Sequence, residues 1–408
     1  MMKNVIVGQS GGPSSVINSS LAGVYCRAKA MGADKVYGMR NGIQGFLEDR
    51  LVDLDTVLGS NELVKLLRKT PAAFLGSCRF KLPDQEQDSG IYERIFALLN
   101  QYEIKAFIYI GGNDSMDTIR KLTDYGRSIG SDICFVGAPK TIDNDLAETD
   151  HTPGYGSAAK FIAAMTKEAI RDQVVYSQKK TIYIMEIMGR NAGWLTAATA
   201  LAKGSDCPGP DLIYLPEVTF DLESFRSKVG ALLEEKNNLM IAVSEGIHDK
   251  NGTYICEYAD MTKEVDAFGH KQMGGTAVFL AEYCEKEFGC KTRPIEFSTL
   301  QRCAAHFASQ TDVNEAFQSG DKAAEAALSG RTGLMATLLR AHDDPYVCEI
   351  GLSDVHQISN VERKVPLEWI LEEGSRISED FIRYALPLIQ GESAPVIENG
   401  LPKHLVLD

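Results

Sequence analysis

The chain has no C-x-x-C pair, no block of lysines and arginines, and no apolar run long enough to span a bilayer. Each absence removes a class of protein. Phosphate-backbone binding needs a basic face, and a formal charge of −14 without one excludes nucleic acid as the main partner. Any anionic substrate must therefore meet local cations in a cleft. Nine cysteines, an odd number without paired spacing, fit reduced thiols better than a disulfide framework. The start MMKNVIVGQSGG enters a strand directly, so no membrane partner and a cytoplasmic location are expected. Proline is also sparse. With 14 prolines in 408 residues and 44% apolar side chains, the chain can bury a large core and divide into two or three domains.

What the sequence does contain is one repeated arrangement. Apolar or β-branched runs end in polar turns: NVIVGQSGG, KAFIYIGGNDS, CFVGAPKTIDND, TIYIMEIMGR, DLIYLPE and NLMIAVSEG. Helical spacing lies between them, as in SSVINSSLAGVYCRAKAMG and MDTIRKLTDYGRSIG, and again in DVNEAFQSGDKAAEAALSG. Later strands are predicted in TGLMATLLRA and YVCEIGLSDV. The alternation predicts α/β architecture with mainly parallel sheets, whose ligands bind outside the carboxyl ends of the strands. All six polar turns fall at such ends. The charged stretch HDKNGTYICEYADMTKEVDAFGHKQ and the tail ESAPVIENGLPKHLVLD read as surface insertions or extensions.

Three turns carry candidate chemistry. SGGPSS (10–15) joins a strand to a helix, where free N–H groups can cradle a phosphate, although a tight turn needs glycine for conformational reasons alone. Neither G-x-x-x-x-G-K-[ST] nor G-x-G-x-x-G is present, which disfavours P-loop and dinucleotide readings. GGNDS (111–115) offers Asn113 and Asp114 as oxygen ligands for Mg²⁺, or as ordinary helix caps. TIDND (141–145) crowds two carboxylates into one turn after an apolar strand, which requires a cation or a transferred proton. Asp143 can accept the proton of an attacking hydroxyl, with Asp145 orienting it or holding the metal. Arg79, Arg190, Arg293 and Arg302 lie near turns and suit phosphate oxygens collectively. Glu245 in VSEG can accept hydrogen bonds from sugar hydroxyls, Glu217 in YLPE reads as an exposed carboxylate, and His151 receives no role.

In this order SGGPSS, GSCRF, GGNDS, PKTIDND, MGR, SEG and LQR resemble the phosphofructokinase family, over roughly Asn4 to Gly330. The resemblance implies two Rossmann-like three-layer domains. The first, 1–150 with about 303–360, would bind the phosphoryl donor, and the second, 151–302 with about 361–408, fructose 6-phosphate. It implies Asp143 as general base, with Asp114, Lys140 and Arg79 completing the catalytic set. Donor contacts fall on Gly12, Arg79, Gly112, Asp114, Ser115 and Lys140. Sugar-phosphate contacts fall on Thr141, Asp143, Met188, Gly189, Arg190, Glu245, Arg293, Thr299 and Arg302, the last arginine and Arg293 gripping the 6-phosphate. Asn113 and Asp145 are the implied Mg²⁺ ligands, Asn113 standing where many relatives have a carboxylate. One phosphate arginine in such enzymes arrives from a neighbouring subunit, which implies a homodimer or homotetramer.

Two positions bear on the donor. ATP-using relatives carry glycine after the GG-acid pattern and again before TIDND, leaving room for the nucleotide's α-phosphate. Here the residues are Asp114 and Lys140, and Ile43 stands where an aromatic ring often underlies adenine. An aspartate repels that phosphate, whereas a lysine offers a compact cation to a short, highly charged donor. The chain thus resembles the pyrophosphate-dependent branch, for which a near-reversible step in glycolysis or gluconeogenesis is implied. The alternatives are an ATP-dependent phosphofructokinase and a non-catalytic sugar-phosphate-binding regulator.

Overall fold

All six turn-ended runs are parallel strands in the structure, a computed structural model that describes residues 4–175, 178–259 and 275–407. The chain divides into two compact units. Unit 1 comprises Met1–Ser157, Arg302–Glu362 and Gln390–Asp408, and unit 2 comprises Ala158–Gln301 and Arg363–Ile389. The expected tail is therefore divided: residues 363–389 lie in unit 2, but 390–407 return to unit 1. There Leu405 and Leu407 pack on the core, and the Leu405 N–H donates to Thr70 Oγ1 at 2.9 Å. Of the charged stretch expected to be a surface insertion, residues 260–272 lie outside the described residues. Ile255 and Cys256 within it are buried.

Unit 1 is built on strands β1 (Asn4–Gln9), β2 (Val36–Met39), β3 (Leu51–Asp53), β4 (Ile104–Gly111), β5 (Cys134–Pro139), β10 (Leu334–Asp343) and β11 (Tyr346–Asp354). Their order is β11-β10-β5-β4-β1-β2-β3, with only the two outer pairings antiparallel. Alternate side chains of the inner strands feed two cores. Val5, Val7, Ile108 and Val136 pack under helices α1 (Ile17–Ala30) and α7 (Gln310–Leu328). Ile6, Phe107, Tyr109 and Phe135 pack under α2 (Ser89–Gln101) and α3 (Asn113–Ser128). Burial on both faces is why these strands are written as continuous apolar runs rather than as alternating ones.

The pair α1 and α7 packs closely through glycine. A Cβ on Gly23 would lie 2.0 Å from the Phe317 carbonyl oxygen, and one on Gly320 would lie 2.0 Å from that of Ser20. Alanine on the buried face of α7, at 316, 323, 324, 326 and 327, keeps the rest of the contact thin. Gly320→Ala is accordingly expected to destabilise unit 1 by about 3 kcal/mol through overpacking against backbone. Thermal melting of the variant against the parent checks this, and an unchanged melting temperature would contradict it.

Unit 2 has a fully parallel sheet of β7 (Leu212–Tyr214), β8 (Asn238–Ser244), β6 (Thr181–Ile187) and β9 (Lys291–Glu296), in that order. One face packs on α5 (Leu222–Glu235) and α6 (Thr276–Phe288) through Ile182, Ile184, Phe225, Ile241 and Leu280. Helix α4 (Tyr155–Gln173) is the longest of this part of the chain. Among the described residues no helix is long and apolar enough to cross a membrane. Among the described residues, none of the nine cysteines takes part in a disulfide.

Candidate active site

In unit 1 the order β5-β4-β1 sets three loops side by side at the carboxyl edge. The Ser10 N–H donates to the Ile110 carbonyl at 2.9 Å, and the Lys140 N–H to that of Gly111 at 2.9 Å, tying each loop to its neighbour. Gly11 adopts φ +75°, a left-handed conformation that suits glycine. Gly111 is needed for closeness, since a Cβ there would fall 1.9 Å from Ser115 Oγ.

Lys140 sits at the centre of this edge. It is only 4% exposed, and its ammonium donates to the Gly12 carbonyl at 2.6 Å. Burial is the main cause that draws its pKa down to about 8; Asp143 and Asp145 act against it, while Arg302 and Arg79 reinforce it. Two cations, two carboxylates and one buried ammonium thus share a field around the first glycine loop. Asp143 Oδ2 accepts a hydrogen bond from the Thr141 hydroxyl at 3.2 Å, and the same hydroxyl receives the Asp143 N–H at 3.1 Å. Asp145 is pushed up to about 7, first by burial and then by the charges of Asp143 and Glu362. Glu362 reaches this turn through a bridge between Leu146 and Glu362. No sequence signal marks it, because more than two hundred residues separate it from TIDND.

Other expected residues of this unit have the following surroundings. Arg302, expected at the sugar phosphate, belongs to unit 1, where its guanidinium lies 3.1 Å from the position of a Cβ on Gly12. Asn113, expected on the metal, instead holds a late segment of the chain with its amide. Its Nδ2 donates to the Val361 carbonyl at 2.8 Å, and its Oδ1 accepts the Asn360 N–H at 2.6 Å. Asp114 stands exposed in the first turn of α3, where a carboxylate complements the helix dipole. It is not among the charges acting most strongly on Lys140. Ser115 is buried against Gly111, and Gly112 opens α3 without a side-chain cap. Ile43 is buried in the core below the loops instead of presenting a surface.

In unit 2 the turns after β6 and β8 meet. The Glu245 N–H donates to the Ile187 carbonyl at 2.9 Å, the Gly189 N–H donates to Glu245 Oε1 at 3.3 Å, and the Ser244 hydroxyl donates to the Gly189 carbonyl. Gly189 has φ +142°, and a Cβ there would meet the Ala192 carbonyl at 2.6 Å, so only glycine fits. The Met188 N–H donates to the Gln301 side chain at 3.2 Å. Arg190 Nε is enclosed without a hydrogen-bond acceptor among the described protein atoms, a costly state that an anionic ligand relieves. Arg293 lies on the outer strand β9, exposed, with its guanidinium 5.3 Å from the centre of the Tyr183 ring. Thr299 is exposed in the turn after β9.

Two carboxylates of unit 2 depart from their sequence reading. Glu217, expected to be an exposed carboxylate, accepts the Gly193 and Val365 N–H groups at 2.8 and 3.0 Å and is raised in pKa by burial. Glu186, which no motif marks, is pushed up to about 7 by burial while accepting the Ala277 N–H at 2.9 Å near the start of α6. A cavity of about 420 Å³ lined by Pro208, Asp211, Lys228 and Arg376 contains none of the expected residues and opens near the amino end of β7.

The family model described as Phosphofructokinase matches residues 4–296. The chain belongs to the phosphofructokinase family. Among curated members, the chain is 40% identical over 403 residues to a protein of Halomonas elongata named pyrophosphate–fructose 6-phosphate 1-phosphotransferase, covering 98% of this chain and 95% of the relative. It is 40% identical over 407 residues to a protein of the same name from Xanthomonas campestris pv. campestris, covering 99% and 96%. The crystal structure of the pyrophosphate-dependent phosphofructokinase from Nitrosospira multiformis superposes with a TM-score of 0.89 at 35% identity, over 98% of this chain and 95% of that one. Within the family match fall the glycine loops, Lys140 and the TIDND turn; Thr299 and Arg302 lie just beyond its end.

Proposed function

We propose that this phosphofructokinase transfers a phosphoryl group from pyrophosphate to the 1-hydroxyl of fructose 6-phosphate, yielding fructose 1,6-bisphosphate and phosphate. The observation that carries the donor choice is the Lys140 ammonium, buried in the donor edge and bonded to the Gly12 carbonyl. A compact cation at that point neutralises a short diphosphate and takes space from a nucleotide's α-phosphate. Arg79 and Arg302 add positive charge at the same edge, which supports the assignment of Arg79 to the donor, and we move Arg302 from the sugar phosphate to the donor side on its place beside Gly12. Asp143 accepts the proton of the sugar hydroxyl, whose oxygen attacks the terminal phosphorus in line as the bond to the bridging oxygen breaks. Thr141 orients the Asp143 carboxylate by its hydrogen bond. Glu245 and Arg190 in unit 2 are assigned to the sugar hydroxyls and the 6-phosphate, the unsatisfied Nε of Arg190 supporting that reading.

The carboxylates around TIDND fit a hard divalent cation. Oxygen ligands on Asp145 and Glu362, and the raised Asp145 carboxyl, mark crowded negative charge of the kind Mg²⁺ relieves. When bound, Mg²⁺ supplies neutralisation of charge on the transferred group. We place Asp145 first among its ligands, since the Asn113 amide serves the 360–361 segment. Arg293 on the outer strand is positioned to serve a neighbouring copy, so we propose a homo-oligomer, acting in the cytoplasm.

A coupled assay on the purified protein with fructose 6-phosphate, equal Mg²⁺ and either donor tests the reading. Turnover with pyrophosphate is expected to exceed that with ATP by about a hundredfold or more, since like-charge juxtaposition against the wrong donor costs several kcal/mol. Comparable ATP activity in the unmodified protein would overturn the donor assignment.

A further inference from the structure

Behind the TIDND turn, unit 1 holds a line of alternating charge that the reaction described above does not use. His151, 1% exposed, has Nδ1 at 2.7 Å from Asp150 Oδ1 and Nε2 at 2.7 Å from Glu315 Oε2. Asp150 also accepts hydrogen bonds from Arg340 at 3.0 and 3.2 Å, and the other oxygen of Glu315 accepts the Tyr346 hydroxyl at 2.7 Å. The Arg340 guanidinium lies 5.2 Å from the centre of the Tyr346 ring. With a carboxylate at each ring nitrogen, both nitrogens must donate, so the ring is an imidazolium. Burial alone would lower its pKa, but the charge of Glu315 and the hydrogen bonds to Asp150 and Glu315 prevail and raise it to about 9. His151, Glu315 and Cys348 place three possible metal ligands within 4.8 Å. Both histidine nitrogens are already engaged, and burial pushes the Cys348 thiol up to about 12, so the ion-pair chain accounts for the cluster and a metal does not.

The chain of contacts leads to the reacting carboxylate. Thr152, next to His151 and fully buried, donates its N–H to Asn144 Oδ1 at 3.0 Å and its hydroxyl to the Thr141 carbonyl at 2.7 Å. Those bonds hold the TIDND turn from behind, with Asn144 fixed at φ +57°, a conformation asparagine tolerates. On the other side, the segment is anchored to α7. Asp312 accepts the Gly154 and Ser157 N–H groups at 2.9 and 2.8 Å, and Glu315, nearly one turn later, takes His151. Helix α7 is itself held against α1, which follows the SGGPSS loop. One helix pair therefore supports both the first donor loop and the base turn.

We propose that His151 is a positioning residue: clamped by Glu315, it fixes Thr152 and through it the orientation of Asp143, setting kcat without touching substrate. The inference rests on Asp143 being the base of the proposed reaction. Small misplacements of a reacting group are expensive, so His151→Gln is expected to lower kcat by about thirtyfold, with KM for both substrates within about threefold. Thr152→Val, which keeps the shape and removes the hydroxyl, should do likewise, and Thr152→Ser should restore kcat to within about threefold of the parent. In an Asp143→Ala background, His151→Gln should cost nothing further, because positioning has no base left to act on.

The experiment is the pyrophosphate assay on the parent and these variants, with thermal melting alongside. If His151→Gln fails to fold, the Thr152 pair carries the test. Unchanged kcat in Thr152→Val, a loss confined to KM, or a full additional loss in the Asp143→Ala background would overturn the proposal. Lack of turnover in the parent protein would instead overturn the reaction assigned to it, so the two failures are told apart.

Discussion

Asp143→Ala is expected to reduce kcat for the pyrophosphate-dependent reaction by about three orders of magnitude, within the range a positioned general base contributes. The side chain is partly exposed and accepts a hydrogen bond from the Thr141 hydroxyl two residues away, and substitutions outside a packed core usually cost little folding free energy. The melting temperature should stay near that of the parent. Its loss also shifts its neighbours in known directions. Asp143 is the first of the charges that raise the Asp145 pKa, after burial, so Asp145 should ionise more readily in the variant. The same carboxylate supports the Lys140 ammonium against burial, so Lys140 should lose its proton more readily. Asp143→Asn keeps the volume and removes only the base, and should match the alanine variant in kcat. Steady-state rates at saturating fructose 6-phosphate and pyrophosphate decide the matter. A loss under tenfold would remove Asp143 from the role of base.

The strands that carry this chemistry are legible in the sequence because they are buried on both faces and so appear as unbroken apolar runs. β2 and β3 escape because four and three residues are too short for a pattern, and β9 because its sequence KTRPIE lies on an outer strand and stays largely exposed. Loop chemistry is legible where it is local, as in Thr141 with Asp143, two residues apart. It is hidden where sheet order or a late segment supplies the partner. Arg302 reads in sequence as one of two similar phosphate arginines, yet the fold puts it beside Gly12, nearly three hundred residues earlier. Glu362 and the Asn360–Val361 backbone come from a segment without a motif, yet they add a carboxylate near Asp145 and engage the Asn113 amide. His151 carries no weight in sequence because a lone histidine acquires meaning only from its neighbours, and Glu315 is supplied by a helix far along the chain. The tail illustrates the same limit. Its anchoring bond to Thr70 spans 335 residues.

The largest donor effect should come from Lys140, and the two donor residues should not contribute equally. Lys140→Gly removes a buried ammonium, leaves the Gly12 carbonyl without its donor and lets Arg79 and Arg302 face pyrophosphate alone. Truncating one member of a buried charged set costs about 2–5 kcal/mol, so kcat/KM for pyrophosphate should fall by roughly a thousandfold. Asp114→Gly acts on an exposed carboxylate in the first turn of α3, where water screens its charge, and should change pyrophosphate use by less than about tenfold. Its stronger effect should appear with ATP, because an exposed carboxylate beside the donor loops repels a longer anion that extends past them. The double variant should therefore lose pyrophosphate activity about as Lys140→Gly does, while gaining ATP-dependent turnover that neither single variant reaches. The coupled assay with both donors, run on the parent and the three variants, gives the four ratios needed. Retention of pyrophosphate kcat/KM within about threefold in Lys140→Gly would show that the buried ammonium does not select the donor, since an electrostatic contact of this kind cannot be lost at so small an effect.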